Sequence, residues 1–223
     1  MGQQAELEWR DGGVPVSTRF DDPYYSLEDG LAETAHVFLG GNDLPERFAD
    51  GFHIAELGFG TGLNLIATLK LWRETGQRGQ LRFTTFEAFP MTPADMRAAH
   101  TAFPEIADLS AEILDQMADN ATDFALPDLQ FEMVPGDARE TLPNWHGTAD
   151  AWFLDGFSPA KNPQMWGPEL MAAVGAHTAP GGSAATYTAA GHVRRALEDA
   201  GFAVERRPGF GRKRHMTVAR MPE

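Results

Sequence analysis

The stretch "HIAELGFGTGLNLIAT", residues 53–68, constrains this chain more than any other. An apolar run of strand length meets three glycines at alternate positions, Gly58, Gly60 and Gly62, and a helix-period pattern follows at once. Glycine reaches backbone angles closed to other residues and lets a ligand approach the main chain, so this is a turn between a buried strand and a helix. The pattern then repeats. The helix ends near Gly76 and a second strand follows in "LRFTTFEAF". Next come a helix capped by Thr92 with Pro93 in its first turn, and a third strand in "LQFEMVPGDA". "ADAWFLDGF" reads as a fourth strand, "PELMAAVGAHTAPGG" as a helix and its exit turn, "SAATYT" as a fifth strand and "AGHVRRALEDAGF" as a helix. "AVERRPGFGRKRHMTVARM" reads as two strands joined by a basic, glycine-bearing loop.

Such alternation implies an α/β fold: a mostly parallel, Rossmann-like, seven-stranded sheet covered on both faces, with a final hairpin that makes the last strand antiparallel. Class I methyltransferases use this arrangement. A length of 223 residues suits one domain over 1–223. Residues 1–48 lack the alternation and read as an extension packed on the core, with a helix over roughly 28–38 that stops at Gly40-Gly41. Residues 90–130 read as a helical insertion, the acidic segment 105–123 included.

The spacing of the glycines narrows the ligand. A dinucleotide fingerprint wants G-x-G-x-x-G, and here the third glycine arrives one position early. No G-x-x-x-x-G-K-[ST] is present to grip a phosphate. Glu56, just before the first glycine, would repel a pyrophosphate and suits a cationic group instead. S-adenosylmethionine carries an ammonium and a sulfonium and no phosphate. Ligands of open α/β sheets sit beyond the carboxyl ends of the strands. There Phe59 and Asn64 flank the glycines, Glu87 with Ala88 is placed for ribose hydroxyls, and Gly136 with Asp137 for an adenine amino group. Taken one at a time, these residues also suit a tight turn and surface acids; four such features at successive strand ends favour a pocket for S-adenosylmethionine.

The sharpest stretch is "DAWFLDGFSPAKNPQMW". Asp155 stands where the fourth strand leaves the sheet, placed to hold a substrate amine and accept its proton. The loop behind it carries Phe157, Lys161, Asn162, Pro163 and Trp166. Its rings suit stacking on a planar base and its lysine a phosphate, although Phe157 and Trp166 suit core anchors as well. Tyr24 and Tyr25 are further wall candidates, or anchors for the N-terminal segment.

Charge and composition bound the partners. The net charge of −14 argues against nucleic acid, yet from Arg194 onward eight Lys and Arg face only four acids. Arg212, Lys213 and Arg214 form a basic tip suited to a phosphate backbone, or simply a solvated turn. The absence of cysteine excludes disulfides, thiolate ligands and cysteine nucleophiles. His36, His100 and His146 have no metal-ligand spacing, and no metal is expected. "MGQQAELEWRDGG" offers no apolar segment, so a cytoplasmic protein without a membrane span is expected.

Over about residues 8–220 the chain resembles the methyltransferase domain of the bacterial MnmC family of tRNA wobble-uridine modification proteins. The matching stretches are "PVSTRFDDPYYSLEDGLAETAHVFLGGN", "AELGFGTGLN", "FEAFP", "DAWFLDGFSPAKNPQMW", "PGG" and "GFGRKR". The resemblance implies methylation of the primary amine of 5-aminomethyl-2-thiouridine, giving 5-methylaminomethyl-2-thiouridine, with S-adenosylmethionine as cofactor and tRNA as partner. It puts Glu56, Gly58, Gly60 and Gly62 on the methionine part of the cofactor, Glu87 on the ribose and Asp137 near the adenine. Asp155 would lie nearest the transferring methyl, with Phe157, Lys161, Asn162, Pro163 and Trp166 shaping the uridine pocket. Bifunctional members add a flavin-dependent oxidoreductase domain. No flavin-binding segment stands in this sequence, so that step is expected from an upstream domain or protein. The alternatives are an N-methyltransferase of another small-molecule or protein amine, and a non-catalytic RNA- or cofactor-binding module. A nicotinamide oxidoreductase fits the glycine spacing poorly.

Overall fold

A computed structural model describes residues 4–10, 13–26 and 29–223. The N-terminal extension opens with a small antiparallel sheet, β1 (Leu7–Arg10), β2 (Val14–Ser17) and β3 (Asp22–Pro23). Strands of two to four residues carry too little period to be read from sequence. Helix α1 (Gly30–Thr34) is capped by the Asp29 carboxylate, which accepts from Ala32 N–H. Glu28, where the predicted helix begins, lies outside the described residues. The helical path does not stop at Gly40-Gly41. It runs on through a π turn, Ala35–Leu39, and a 3-10 turn, Gly40–Asn42, and ends at Asp43, whose φ is 54°. Gly41 serves packing instead: a Cβ there would stand 2.7 Å from the Ala185 methyl.

The alternating part then runs β4 (His53–Leu57), α2 (Leu63–Glu74), β5 (Leu81–Glu87), α3 (Pro93–His100), α4 (Ala107–Gln116), β6 (Asp123–Leu126) and β7 (Leu129–Pro135). It continues with α5 (Ala138–Thr141), β8 (Ala149–Leu154), α6 (Pro168–Ala176), β9 (Thr178–Thr186), α7 (Gly191–Asp199), β10 (Ala203–Pro208) and β11 (His215–Arg220). One sheet takes the order β10-β11-β9-β8-β4-β5-β7-β6. The pairs β8–β9, β4–β8, β4–β5 and β5–β7 are parallel, and β11 lies antiparallel between β9 and β10.

The expected seven strands are present, and an eighth joins them. β6 forms a hairpin on β7 in which Leu126 pairs with Leu129. The acidic segment is therefore helical only in part. α4 ends at Gln116, Asp119 takes a φ of 57°, and the chain turns into a strand with Phe124 and Leu126 half buried. β9 also starts earlier than "SAATYT": the exit turn "TAPGG" is strand, with a register shift against β8.

Both faces of the sheet are covered. On one face Trp72 of α2 packs with Phe83, Phe131 and Phe153 of the sheet; on the other, Leu170 of α6 and Leu197 of α7 pack with Phe86 and Trp152. Full burial of such side chains contributes about 1.5–3 kcal/mol each. Strand order reverses between β4 and β8, which opens a crevice beyond their carboxyl ends. There the two chains nearly touch. Gly58 has a φ of +84°, and a Cβ on it would stand 3.1 Å from Gly156 Cα. Among the described residues no helix is long and apolar enough to cross a membrane.

Candidate active site

A cavity of about 920 Å³ occupies the crevice and extends under the N-terminal extension. Along one side the Gly58–Gly60 turn, Glu87 and Ala88 after β5, and Gly136 and Asp137 after β7 face it. Phe59 and Asn64 line it as well. Glu87 accepts from the backbone N–H of Gly60 at 3.1 Å and of Phe89 at 2.8 Å, so one carboxylate ties the first strand end to the second. Asp137 caps α5, accepting from Arg139 N–H at 2.9 Å, and pairs with the Arg139 guanidinium, which holds its carboxyl below the usual range.

The turn is also pinned from outside. His100 Nε2 lies 2.8 Å from Thr61 O and Nδ1 2.7 Å from Ser110 Oγ. A carbonyl only accepts, so Nε2 carries the proton. Burial pushes this imidazole down to about 4 and keeps it neutral. Gly62 closes the turn with a φ of +77°, and a Cβ on it would meet the Phe59 ring at 2.8 Å.

Two residues expected at the cofactor are set back from the cavity surface. Gly62 does not line the cavity, and neither does Glu56. Glu56 is fully buried on β4, its oxygens accepting from Asn64 Nδ2 and Thr85 Oγ1 at 2.8 Å each. Each oxygen has a partner inside the protein, and the side chain has no exposed surface towards the cavity. Burial pushes this carboxyl well above its ordinary range. A motif read in one dimension does not tell which way a strand-end side chain faces.

Asp155 is at the cavity floor, where β8 ends. Its Oδ1 accepts from Gly156 N–H and its Oδ2 from Asn64 Nδ2, both at 2.8 Å. Burial, chiefly, pushes the carboxyl up to about 7, the Glu33 charge adding to the rise and the two hydrogen bonds and Lys213 opposing it. A carboxylate that changes protonation near neutrality is suited to proton transfer.

Above it the N-terminal extension supplies an aromatic wall. Phe157 stacks on Phe20 at 4.6 Å between centroids and meets Tyr24 edge-on at 4.9 Å. Arg19 lies 4.4 Å over the Phe89 ring. Ser158 N–H donates to Asp22 at 2.8 Å, which fastens the β8 loop to the extension. Burial, with the nearby Glu87 charge, raises the Tyr24 hydroxyl, and burial raises that of Tyr25; both tyrosines line the cavity.

Of the loop candidates, Phe157 and Asn162 line the cavity, whereas Lys161, Pro163 and Trp166 do not. Lys161 pairs with Asp21 at 2.7 Å, a clasp between loop and extension. Trp166 is a buried anchor whose Nε1–H donates to Phe157 O at 2.9 Å. At the basic tip Arg212 and Lys213 line the cavity and Arg214 does not. Glu33 and Tyr187, neither of them among the candidates, also line it. They come from α1 and from the residue just after β9, and only the fold brings them to Asp155. Tyr187 sits in the quoted strand "SAATYT", so strand-end position was the one usable signal.

The switch-point crevice, the glycine turn and the strand-end acids define a class I nucleoside-cofactor enzyme. Residues 101–222 match the model of a family described as S-adenosyl-L-methionine-dependent methyltransferase, and the chain belongs to that family. It is 48% identical to the tRNA 5-methylaminomethyl-2-thiouridine biosynthesis bifunctional protein MnmC of Caulobacter vibrioides, over 97% of this chain and 38% of that protein. The MnmC of Pseudomonas aeruginosa strain UCBPP-PA14 is 44% identical over 96% of this chain and 34% of its own length. The chain thus spans little more than a third of these curated relatives. Among solved structures, MNMC2 from Aquifex aeolicus superposes with a TM-score of 0.79 at 25% identity, covering 99% of this chain and 73% of that one.

Proposed function

We propose that this protein transfers a methyl group from S-adenosylmethionine to the primary amine of 5-aminomethyl-2-thiouridine at the wobble position of tRNA, giving 5-methylaminomethyl-2-thiouridine. The observation that carries the reading is Asp155: a carboxylate poised near neutrality at the switch point, under an aromatic wall, in a chain 48% identical to a protein named for making that nucleoside.

The residues suit the cofactor. The turn presents main chain without side chains at Gly58 and Gly60, Glu87 keeps oxygen lone pairs beyond its two backbone bonds, and Ala88 and Ala138 leave a slot for a flat base. Bound there, S-adenosylmethionine supplies an electrophilic methyl on a sulfonium. The chain does the rest. Asp155 holds the amine and takes its proton at the carboxylate oxygens, leaving the nitrogen lone pair free to attack. Phe157, Phe20 and Tyr24 clamp the planar base and exclude water, so that positioning supplies much of the rate. The tip at Arg212, Lys213 and Arg214 meets phosphates. A flavin-dependent domain or protein acting upstream would expose the amine, and the cytoplasm would be the place of action.

The test is incubation with labelled S-adenosylmethionine and tRNA lacking the final methyl, followed by nucleoside mass analysis. Label is expected in 5-methylaminomethyl-2-thiouridine, and Asp155→Asn is expected to lower turnover by about 10²–10⁴-fold while cofactor still binds. Label on a small amine or a protein, with none in tRNA, would replace the substrate. Near-normal turnover by Asp155→Asn would remove its role.

A further inference from the structure

Lys213 sits in the β10–β11 turn with its side chain 43% exposed, yet its ammonium is turned into the cavity. Nζ lies 2.6 Å from Glu33 Oε1 and 4.1 Å from the centroid of the Tyr187 ring. A surface lysine ordinarily keeps its head in water. Here a carboxylate and an aromatic face converge on it, which is the chemistry that recognises an ammonium ion.

Tyr187 is held in place independently of the lysine, and the backbone that carries Glu33 is fixed by a helix cap. Glu33 is only 11% exposed on α1, where Asp29 caps the first turn. Tyr187 donates its hydroxyl hydrogen to Gly156 O at 2.7 Å and meets Trp166 edge-on at 6.1 Å. Gly156 follows Asp155 directly, and the Glu33 charge acts on both Asp155 and Tyr187. The ammonium of Lys213 therefore lies in the neighbourhood of the proton-accepting carboxylate. A carboxylate this buried is costly to leave unpaired, and Lys213 is the cation that pairs with Glu33 in the free protein.

We infer that Glu33 and the face of Tyr187 form the ammonium-recognising part of the acceptor site, and that Lys213 occupies this part in the free protein and is displaced by the incoming substrate amine. The identity of that amine rests on the function proposed above; the existence of the site does not. Displacement has a consequence for specificity. A free amine must compete with a tethered lysine, whereas an amine carried on a polynucleotide brings phosphates that receive the displaced Lys213 beside Arg212 and Arg214. The pair thus favours amines presented on RNA over the same amine alone.

The experiment is an NMR titration of the full chain with benzylamine, using benzyl alcohol as the neutral control, on the wild type, Glu33→Gln and Lys213→Met. The wild type is expected to prefer the amine, Glu33→Gln to lose the preference, and Lys213→Met to bind the amine about fivefold or more tighter because the resident competitor is gone. A simple latch between α1 and the hairpin predicts otherwise: both substitutions break the same pair and shift amine binding in the same direction. That result, or unchanged amine binding in Lys213→Met, overturns the inference. Should Glu33→Gln fail to fold, Lys213→Met decides alone. Opposite shifts in a protein that methylates no tRNA would leave the ammonium site standing and remove the wobble-uridine substrate.

Discussion

Asn64 stands between two carboxylates: its Nδ2 donates to Glu56 Oε1 and to Asp155 Oδ2, each at 2.8 Å. Its Oδ1 accepts from Thr34 Oγ1, also at 2.8 Å. The orientation of the amide is fixed by these three bonds. Glu56 is braced in turn by Thr85, so the acid ahead of the glycine turn acts on the reaction centre through Asn64.

Removing that amide should therefore show in the pH profile. Hydrogen bonds donated to a carboxylate favour its charged form, and Asn64→Ala withdraws one from Asp155. The Asp155 carboxyl should rise above about 7, and the acidic limb of the rate profile should move to higher pH. We expect kcat to fall about tenfold or more and stability by about 1–3 kcal/mol, since Glu56 also loses a donor in the interior. Steady-state rates from pH 5.5 to 9 and urea unfolding check this.

Asp155→Asn should separate activity from stability. The Asp155 carboxyl titrates near 7 in the folded protein and near 3.8 unfolded, so the native state binds the proton more tightly. Ionising it costs stability increasingly from about pH 4, and in full above about pH 7. The asparagine variant should thus be inactive, and its stability relative to the wild type should rise between pH 4 and pH 8 by on the order of 1–3 kcal/mol. This rise stands above a constant loss, because its NH2 replaces an acceptor facing Gly156 N–H or Asn64 Nδ2. Thermal melts at both pH values read this directly.

Gly58→Ala should damage the crevice. The residue sits at φ +84°, and the added methyl would lie 3.1 Å from Gly156 Cα and 3.3 Å from its nitrogen. Both are backbone atoms and cannot swing aside. A loss of about 1–3 kcal/mol is expected. Weaker cofactor binding should accompany it, as measured by calorimetry. Gly51, with a similar φ of +78° and open space around it, is the control: Gly51→Ala should lose stability without losing cofactor affinity.

Arg214→Gln should affect only the nucleic-acid side. Arg214 is exposed on the hairpin and does not line the cavity. KM for tRNA is expected to rise and the slope of log affinity against log salt to fall by about one, with cofactor affinity unchanged. Filter binding between 50 and 200 mM salt measures the slope.

Much of the site was legible because it is local in sequence. The glycine turn, Glu87, Asp137 and Asp155 are set by strand ends, and a strand end is a short-range property. Their directions were not legible. Glu56 faces inward because β4 is a central strand, buried on both faces, and Trp166 suits a pocket wall as well as an anchor by sequence, whereas its indole donates to Phe157 O in the fold. Lys161 offered a phosphate contact, but the turn after β2 brought Asp21 within 2.7 Å of it. The eighth strand was not legible because its four residues of period-two pattern close an acidic segment that is helical only as far as Gln116.

The sequence by itself determined the alternation, the sheet it forces, the glycine turn at the crevice and the carboxylate at the end of β8. Those follow from periodicity and backbone freedom, which act over a few residues. Only the tertiary structure decided that Glu33, Tyr187 and Lys213 surround one point beside Asp155. They lie on α1, just after β9 and in the last hairpin, far apart in the chain, and only the packing of the N-terminal extension against β9 and β11 brings them together.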